Sequence, residues 1–275
     1  MAIDAHQHFW QYDPLKHSWI GEDMQVLKCD FMPPDLKKEM KKAEIDGCVA
    51  IQADQSENET EFLLALAEEH DFIKGVVGWV DLRASEVEKR LRHYSQINAF
   101  KGVRHLVQDE PDDHFLLRDD FLKGIEKLSK YGLSYDILIY PRHLSTVDKF
   151  VSKFPNQRFV LDHIAKPKIG KREIKDWEQG IRPLSQHPKL YCKLSGMITE
   201  ADWENWEPED FRPYLDVILD AFGPDRLMFG SDWPVCTLAG DYSQVIEIVK
   251  NFIESLSITE QEKIMEGNAK RFYDL

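Results

Sequence analysis

The chain has few cysteines, and they form no recognisable pattern. Its four cysteines, Cys29, Cys48, Cys192 and Cys236, are far apart, and no two have the Cys-x-x-Cys spacing of redox or metal motifs. They stand in or beside apolar, strand-like runs, as buried free thiols do. We therefore expect no disulfide framework and four buried thiols.

Long apolar runs and an excess of basic charge are also missing. No apolar run approaches the roughly 18 residues that a bilayer span requires, and no basic segment followed by an apolar stretch opens the chain. The 35 basic residues are outnumbered by 49 acidic ones, which gives a net charge of −14. This balance opposes binding to a nucleic acid backbone. We expect a cytoplasmic protein that binds neither membranes nor nucleic acids.

What the chain does contain is ample material for a folded core. Its 275 residues are 43% hydrophobic, which suits one large α/β domain or two small ones. No Gly/Ser- or Pro-rich linker and no short-period repeat divides it. We therefore predict a single domain spanning residues 1–275.

Apolar, β-rich runs alternate along the chain with amphipathic helical segments. Eight such units in roughly 250 residues predict a TIM-type (β/α)8 barrel. The predicted strands are Ala2–Ala5, Gly47–Gln52, Gly75–Val80, Ala99–His105, Ser134–Tyr140, Arg158–His163, Lys189–Leu194 and Arg226–Ser231. The main predicted helices are Pro34–Ile45, Glu57–His70, Ser85–Tyr94, Arg118–Tyr131, Leu144–Phe154, Pro208–Phe222, Tyr242–Leu256 and Thr259–Tyr273.

Polar residues gather where the predicted strands end, which is where this fold places active sites. His6 and His8 follow the first strand and point the same way, because side chains of an extended segment repeat with a period of two. The sixth strand delivers His163 and the eighth delivers Asp232. Three imidazoles and a carboxylate should thus meet across the barrel axis. The long segment from residue 10 to 32 should fold over the mouth.

Four ordered motifs resemble the amidohydrolase superfamily, and more narrowly its sugar-lactonase branch of the L-fuconolactonase and L-rhamnonolactonase type. The motifs run from the first predicted strand to the last: Asp4-Ala5-His6-Gln7-His8-Phe9-Trp10, Gly102-Val103-Arg104-His105, Leu161-Asp162-His163-Ile164-Ala165-Lys166-Pro167 and Gly230-Ser231-Asp232-Trp233-Pro234. The resemblance implies a barrel hydrolase that opens a lactone like L-fuconolactone, L-rhamnonolactone or galactonolactone.

The resemblance also bears on metal. Relatives in the wider superfamily bind one or two divalent ions, but this chain has no lysine at the end of strand four, and Tyr140 ends strand five where many relatives carry a histidine. We therefore expect no two-metal site. His6, His8, His163 and Asp232 offer ligands that suit a single zinc or similar ion. Relatives in the lactonase branch are reported to work without metal, so occupancy stays open. No organic cofactor is expected.

The expected chemistry assigns a role to each group. Asp232 would accept the proton of the attacking water and return it to the leaving hydroxyl, while the three histidines would polarise the carbonyl, through a metal or directly. Arg104 and His105 are adjacent on a strand, so only one can face the pocket. We select Arg104, because a guanidinium can hold a lactone carbonyl or product carboxylate at any working pH.

Further residues are candidate substrate contacts. Flat aromatic faces suit a sugar ring, which singles out Trp10, Trp19, Trp79 and Trp233 near strand ends or in the first loop. Tyr140 and Lys193 are candidate hydrogen-bonding groups, and His17 is a candidate from the first loop. We assign Trp203 to packing or a partner surface, Lys166 to a loop, and Asp162 to the helix-facing side of its strand.

Two alternative functions remain from the residues alone. A metal-dependent decarboxylase of an aromatic or unsaturated acid would share the barrel, the histidine pair and the aspartate. A catalytically silent barrel that only binds sugar acids is the other alternative. The sequence does not identify the lactone or its ring size, and it leaves open whether a homodimer forms.

Overall fold

The computed structural model describes residues 2–275 and places eight parallel strands in one sheet. The sheet runs in chain order from first strand to last, and a parallel bridge between Gln7 and Trp233 links its two ends. This arrangement confirms the predicted (β/α)8 barrel. The strands are β1 (Ile3–Gln7), β2 (Gly47–Ile51), β3 (Ile73–Gly78), β4 (Phe100–His105), β5 (Ser134–Ile137), β6 (Phe159–Leu161), β7 (Leu190–Leu194) and β8 (Leu227–Phe229).

Helices cover the outside of the barrel. They are α1 (Pro33–Ala43), α2 (Glu57–Glu69), α3 (Val87–Tyr94), α4 (Asp119–Leu128), α5 (Leu144–Ser152), α6 (Lys175–Leu184), α7 (Pro208–Phe222), α8 (Tyr242–Ile253), α9 (Ile258–Glu262) and α10 (Asn268–Tyr273). Helix α6 is absent from the predicted set. A π-helical turn, Lys263–Gly267, separates α9 from α10, so the predicted segment 259–273 is not one regular helix.

Local sequence explains where several helices begin. The Ser56 hydroxyl accepts a hydrogen bond from the Glu59 amide at the start of α2, and the Asp241 carboxylate accepts one from the Gln244 amide at the start of α8. Such caps satisfy amide groups that have no partner within the helix. Helix α1 instead begins with two prolines, whose fixed φ suits the first helical turn.

The amino-terminal end of the barrel is closed by α10. Ala269, Phe272 and Tyr273 of this helix pack on apolar side chains that point into the barrel, among them Ile3, Val49, Val77, Val160 and Met228. Burial of this layer seals one end of the barrel with hydrocarbon. The carboxyl ends of the strands are therefore the end that is accessible to a ligand.

The first loop covers that accessible end. Trp10 and Phe31 exchange two backbone hydrogen bonds of 3.1 and 2.9 Å, which join the start of the loop to its end. Between them, Trp19 and Met24 reach the wall of the central cavity, so the prediction that this loop folds over the mouth is confirmed. Cys29 lies in the same loop and is exposed, against our expectation, because it belongs to no strand. The other three cysteines are buried and free.

Within residues 2–275, no helix is both long enough and apolar enough to cross a bilayer.

Candidate active site

His6 and His8 lie side by side at the top of β1, and both are buried. The Nδ1 atom of His8 lies 2.8 Å from the Ile51 carbonyl oxygen, which can only accept a hydrogen bond. Nδ1 therefore carries the proton, and the Nε2 lone pair is free. This Nε2 lies 3.3 Å from the Nε2 of His6 and 3.3 Å from Oδ1 of Asp232.

Asp232 and His163 complete the cluster from β8 and β6. Nε2 of His163 lies 3.9 Å from Oδ1 of Asp232, and the His163 Nδ1 lies 2.9 Å from the Ser195 hydroxyl. Both residues have positive φ angles, 54° for His163 and 59° for Asp232. In non-glycine residues such angles are uncommon, and the strain they carry concentrates at functional sites. The backbone thus leaves regular strand geometry where it presents these side chains.

Two glycines allow the backbones of neighbouring strand ends to approach the histidines. A Cβ atom at Gly196 would stand 2.4 Å from Nδ1 of His163, and Gly196 also has a φ of +62°. A Cβ atom at Gly230 would stand 2.6 Å from Cβ of His6. Any side chain at either position would displace an imidazole of the cluster.

Arg104 faces the cavity and His105 faces the helices, as strand alternation predicts. Nη1 of Arg104 lies 3.3 Å from Nε2 of His6 and donates to Oδ2 of Asp162 at 3.2 Å. The His105 ring stacks on Phe115 with 4.7 Å between ring centroids, and its Nε2 pairs with Glu110 at 2.6 Å. A fixed positive charge thus borders the histidine cluster.

Burial and neighbouring charges fix the protonation of the cluster. Burial holds the pKa of His6, of His8 and of His163 below the usual range, and positive neighbours such as Lys193 and Arg104 lower that of His6 further. Burial alone would raise the pKa of Asp232, but His163, His8 and Lys166 outweigh it, and the pKa lies below its usual range. Near pH 7 the imidazoles are neutral and the carboxylate is ionised.

A second polar cluster lies deeper in the barrel. Nζ of Lys193 donates to Oδ2 of Asp136 at 2.6 Å and lies 3.0 Å from Oδ1 of Asp162. The Tyr273 hydroxyl of α10 donates to the same Asp136 oxygen at 2.6 Å. The side chains of Lys193, Asp136 and Asp162 have no solvent-exposed surface, and none of the three lines the cavity. The geometry therefore gives no support to Lys193 as a substrate contact.

Our assignment of Asp162 to the helix-facing side is wrong. β6 ends at Leu161, and the next residues form a tight turn in which His163 to Lys166 all have positive φ. Strand alternation does not apply past Leu161, so Asp162 and His163 both point into the barrel. Asp162 Oδ1 lies 3.3 Å from Nδ1 of His6, and Nζ of Lys193 lies 3.2 Å from the same nitrogen.

The central cavity has a volume of about 320 Å³ and is lined by residues from most strand ends. Six predicted site residues line it: His8, Trp19, Arg104, Tyr140, His163 and Asp232. His6 is fully buried and contacts the cluster from below. The cavity wall also includes Lys166 and Trp203, which we had assigned elsewhere, and Glu200, which lies six residues past the end of β7.

Three predicted aromatic contacts and His17 do not reach this cavity. The Trp10 indole donates to the Cys29 carbonyl at 3.0 Å, and the Trp79 indole donates to Nδ1 of His105 at 3.3 Å. Trp233 packs edge-on against Phe9 and Phe31. These rings support loops and helices, because the turns after the strands direct them away from the axis. His17 lines a smaller, separate cavity beside Trp10.

The donor atoms of the cluster fit one divalent ion. Ligands bound tetrahedrally at roughly 2.0–2.1 Å are about 3.3–3.4 Å apart. His6, His8 and Asp232 present atoms separated by 3.3, 3.3 and 3.8 Å, with His163 at 3.9 Å from the carboxylate. The hydrogen bond from His8 Nδ1 to the Ile51 carbonyl is the kind of outer contact that orients a metal-binding imidazole.

Comparison with known proteins places this geometry in a family. A family model described as amidohydrolase matches residues 3–275. L-Fucono-1,5-lactonase of Burkholderia multivorans is 40% identical over all of this chain and 96% of its own length. The chain belongs to the amidohydrolase family.

Other amidohydrolases agree along the full length. L-Fucono-1,5-lactonase of Burkholderia ambifaria is 33% identical over 98% of this chain and 94% of its own. The crystal structure of a Burkholderia multivorans amidohydrolase with bound zinc superposes with a TM-score of 0.96 at 39% identity, covering 100% of this chain and 99% of that one. The resemblance found in the four motifs is thereby confirmed.

Proposed function

We propose that this amidohydrolase opens the lactone of a sugar acid, with L-fuconolactone as the nearest substrate type. The observation that carries the proposal is the Asp232 carboxylate and the Arg104 guanidinium on the wall of one cavity, together with a pKa of Asp232 below its usual range. Ester hydrolysis needs a base for water and a positive group for the developing oxyanion. The two full-length lactonase relatives supply the substrate class.

Asp232 acts as the general base. Its pKa lies below the usual range, so it is ionised and ready to accept the proton of a water placed in the cavity. The tetrahedral intermediate then collapses, and the same proton passes from Asp232 to the ring oxygen as the ester bond breaks. One residue thereby serves both halves of the reaction, and no nucleophilic serine or cysteine is required.

Arg104 stabilises the oxyanion. Its Nη1 stands beside Nε2 of His6, and a backbone contact to the Gln52 carbonyl fixes its Nη2. A preorganised guanidinium costs little reorganisation free energy, because it does not have to reorient as negative charge develops on the carbonyl oxygen. His8 and His163 line the same cavity with their Nε2 atoms near Asp232 and orient the reacting water.

A divalent ion would be held by His6, His8 and Asp232, with His163 beside them. When bound, such an ion would supply Lewis-acid polarisation of the lactone carbonyl. The neutral state of the three histidines favours this ligation, since metal ligands must be unprotonated.

A pH-indicator assay with a lactone panel tests the proposal. The panel contains L-fuconolactone, L-rhamnonolactone, galactonolactone and δ-valerolactone, each with chelator and with added zinc. We expect hydrolysis of at least one sugar lactone, well above the spontaneous rate. Folded protein that hydrolyses none of them in either condition would refute lactonase activity. Release of carbon dioxide from a dihydroxybenzoate would instead support the decarboxylase alternative.

A further inference from the structure

Two of the charged residues on the cavity wall, Lys166 and Glu200, are not used by the chemistry described above. Lys166 ends the left-handed turn after β6, and Glu200 ends the short 3-10 turn after β7. Both line the cavity, and their side chains are about one fifth exposed, 19% and 20%. Nζ of Lys166 lies 3.7 Å from Oε1 of Glu200.

The contact between Lys166 and Glu200 is longer than the fully buried ion pairs of the barrel. A separation of 3.7 Å exceeds hydrogen-bond length, whereas Lys193 and Asp136 are 2.6 Å apart. Among residues 2–275, neither Nζ of Lys166 nor the Glu200 carboxylate has a shorter polar contact. An ammonium group has three hydrogen-bond donors, and a carboxylate has about four acceptor sites. Most of these donors and acceptors have no partner among the residues that the structure describes and are available to a ligand in the cavity. Partly buried charges without hydrogen bonds are costly unless a ligand completes them.

The surroundings of the pair suit a polyhydroxylated ring. Nζ of Lys166 lies 5.6 Å from the centroid of the Tyr140 ring, and Trp203, three residues after Glu200, also lines the cavity. The Trp203 indole is committed to the Thr199 carbonyl at 2.9 Å. Aromatic rings with polar groups between them are a usual way to bind the C–H faces and hydroxyls of one sugar.

The pair is also held in a fixed relation to the reacting groups. The Lys166 amide donates to the His163 carbonyl at 2.7 Å, so one turn positions both side chains. Lys166 acts electrostatically on Asp232, and Asp232 acts on Glu200. Lys166 and Glu200 therefore lie within electrostatic range of Asp232 on the wall of the same cavity.

We propose that Lys166 and Glu200 form a hydroxyl-recognition site that selects sugar lactones over lactones without ring hydroxyls. A hydroxyl placed between them accepts a hydrogen bond from Nζ of Lys166 and donates one to the Glu200 carboxylate. This inference rests on the proposed lactonase function, and it names the two residues that determine substrate choice.

The test measures selectivity rather than activity alone. For Lys166→Met and Glu200→Gln, kcat/KM is measured on L-fuconolactone and on δ-valerolactone, which keeps the ester and lacks hydroxyls. Hydrogen bonds to charged groups are worth enough that the ratio of the two values should fall by about 10- to 100-fold, mainly through KM. An equal loss on both lactones, or an unchanged ratio, would overturn the proposal.

A matched control comes from another lysine–glutamate pair close by in the chain. Lys168 and Glu173 are 3.1 Å apart, and both side chains are 56% exposed, outside the cavity. Lys168→Met and Glu173→Gln should leave the selectivity ratio unchanged. Thermal unfolding of each variant shows whether the fold is intact.

The two proposals fail in different ways. A wild-type protein that hydrolyses no lactone refutes the function. In that case titration calorimetry with L-fuconate and with 5-hydroxypentanoate, using the same variants, tests the pair. If Glu200→Gln does not reduce the preference for L-fuconate over 5-hydroxypentanoate, the recognition site is refuted, whatever the outcome for the lactonase function.

Discussion

Two polar clusters lie in the same barrel at different depths, and they differ in the length of their contacts and in the charges of their members. The deep cluster consists of Lys193, Asp136, Asp162 and Tyr273, joined by contacts of 2.6 to 3.0 Å and closed off from the cavity. The upper cluster consists of His6, His8, His163 and Asp232, whose mutual contacts are 3.3 to 3.9 Å. In the deep cluster opposite charges face each other, while in the upper cluster neutral rings surround one carboxylate.

The difference separates structural support from chemistry. The deep cluster is fully buried and does not line the cavity, so a ligand cannot reach it. The upper cluster has lone pairs that point toward the cavity. His6 belongs to both, because its Nδ1 contacts Lys193 at 3.2 Å and Asp162 at 3.3 Å, and its Nε2 faces the upper cluster. Substitutions in the two clusters should accordingly affect different measurements.

Asp232→Asn should cause the largest loss. The amide keeps the size of the side chain but cannot accept the proton of water. General-base assistance is typically worth about 10²–10⁴ in rate, so kcat should fall by that factor with KM little changed. Steady-state kinetics on the best lactone measures it, and thermal unfolding should stay near that of the wild type. Turnover close to wild type would remove Asp232 from the mechanism.

Lys193→Met should break the deep cluster and destabilise the fold. It leaves the Asp136 and Asp162 carboxylates buried without their shared cation, which typically costs about 3–5 kcal/mol. The free energy of unfolding from urea titration measures the loss. Lys42→Met is the matched control, since the Lys42–Glu39 pair is of similar length, 2.9 Å, but lies on the surface, where such pairs contribute about 0–1 kcal/mol.

A second substitution sharpens this result. In Lys193→Met the Asp162 carboxylate still accepts from Arg104 at 3.2 Å, so Asp136 is the carboxylate that is left without a cation. Adding Asp136→Asn removes that charge, and the Tyr273 hydroxyl can still donate to the amide oxygen. The double variant should therefore be more stable than Lys193→Met alone. Additive destabilisation would show that the charges in the deep cluster are not what couples these residues.

Arg104→Met should lower kcat and raise the affinity for zinc. Loss of one oxyanion donor typically costs about 10²–10³ in kcat. Nη1 of Arg104 lies 3.3 Å from the His6 Nε2 lone pair that a bound ion would need, and its charge repels a cation. Zinc affinity, measured by competition with a chelating dye, should rise on the order of tenfold or more. Weaker zinc binding in a folded variant would contradict this view, and Lys168→Met serves as the charge control.

The sequence predicts the barrel and the upper cluster because both depend on regular patterns. Eight apolar runs at barrel spacing define the strands, and His6, His8, His163 and Asp232 stand at the ends of three of them. Alternation along a strand that stays regular through His105 predicts that only one of Arg104 and His105 faces the cavity, and the chemistry of the guanidinium selects Arg104. These inferences need only the period of a strand and the rule that active sites lie at carboxyl ends.

The failures begin where regular structure ends. Asp162 and Lys166 lie in a left-handed turn past β6, so alternation cannot give their direction. Glu200 ends a 3-10 turn of three residues, which is too short to show a repeating pattern of apolar and polar residues. Trp79 was placed by its position at a strand end, yet its indole pairs with His105 in the helix layer. Such orientations depend on turns that only tertiary contacts fix.

Stability should respond to pH through a residue outside both clusters. Burial raises the pKa of Glu59 to about 8, so the folded state binds a proton that the unfolded chain releases near its ordinary pKa. A raised carboxyl pKa makes the fold more stable as pH falls from about 8 toward 4.5. Urea unfolding across this range should show that gain, and Glu59→Gln should reduce it. An unchanged slope in the variant would assign the effect to other groups.

The smallest change is expected in the acid limb of activity. Asp232 has a pKa below its usual range, and burial holds the pKa of each of the three histidines below its ordinary value, so near pH 7 the base is ionised and its neighbours are neutral. We expect kcat/KM to stay level as the pH falls through 6.5, the ordinary pKa of a histidine, and to fall only at a lower pH, where the groups of the upper cluster take up protons. Initial rates in a constant-ionic-strength buffer series, with circular dichroism at each pH, measure it. An acid limb with an apparent pKa of 6 to 7 in folded protein would instead identify a histidine as the base, and would place the proton-accepting group of the upper cluster on an imidazole rather than on Asp232.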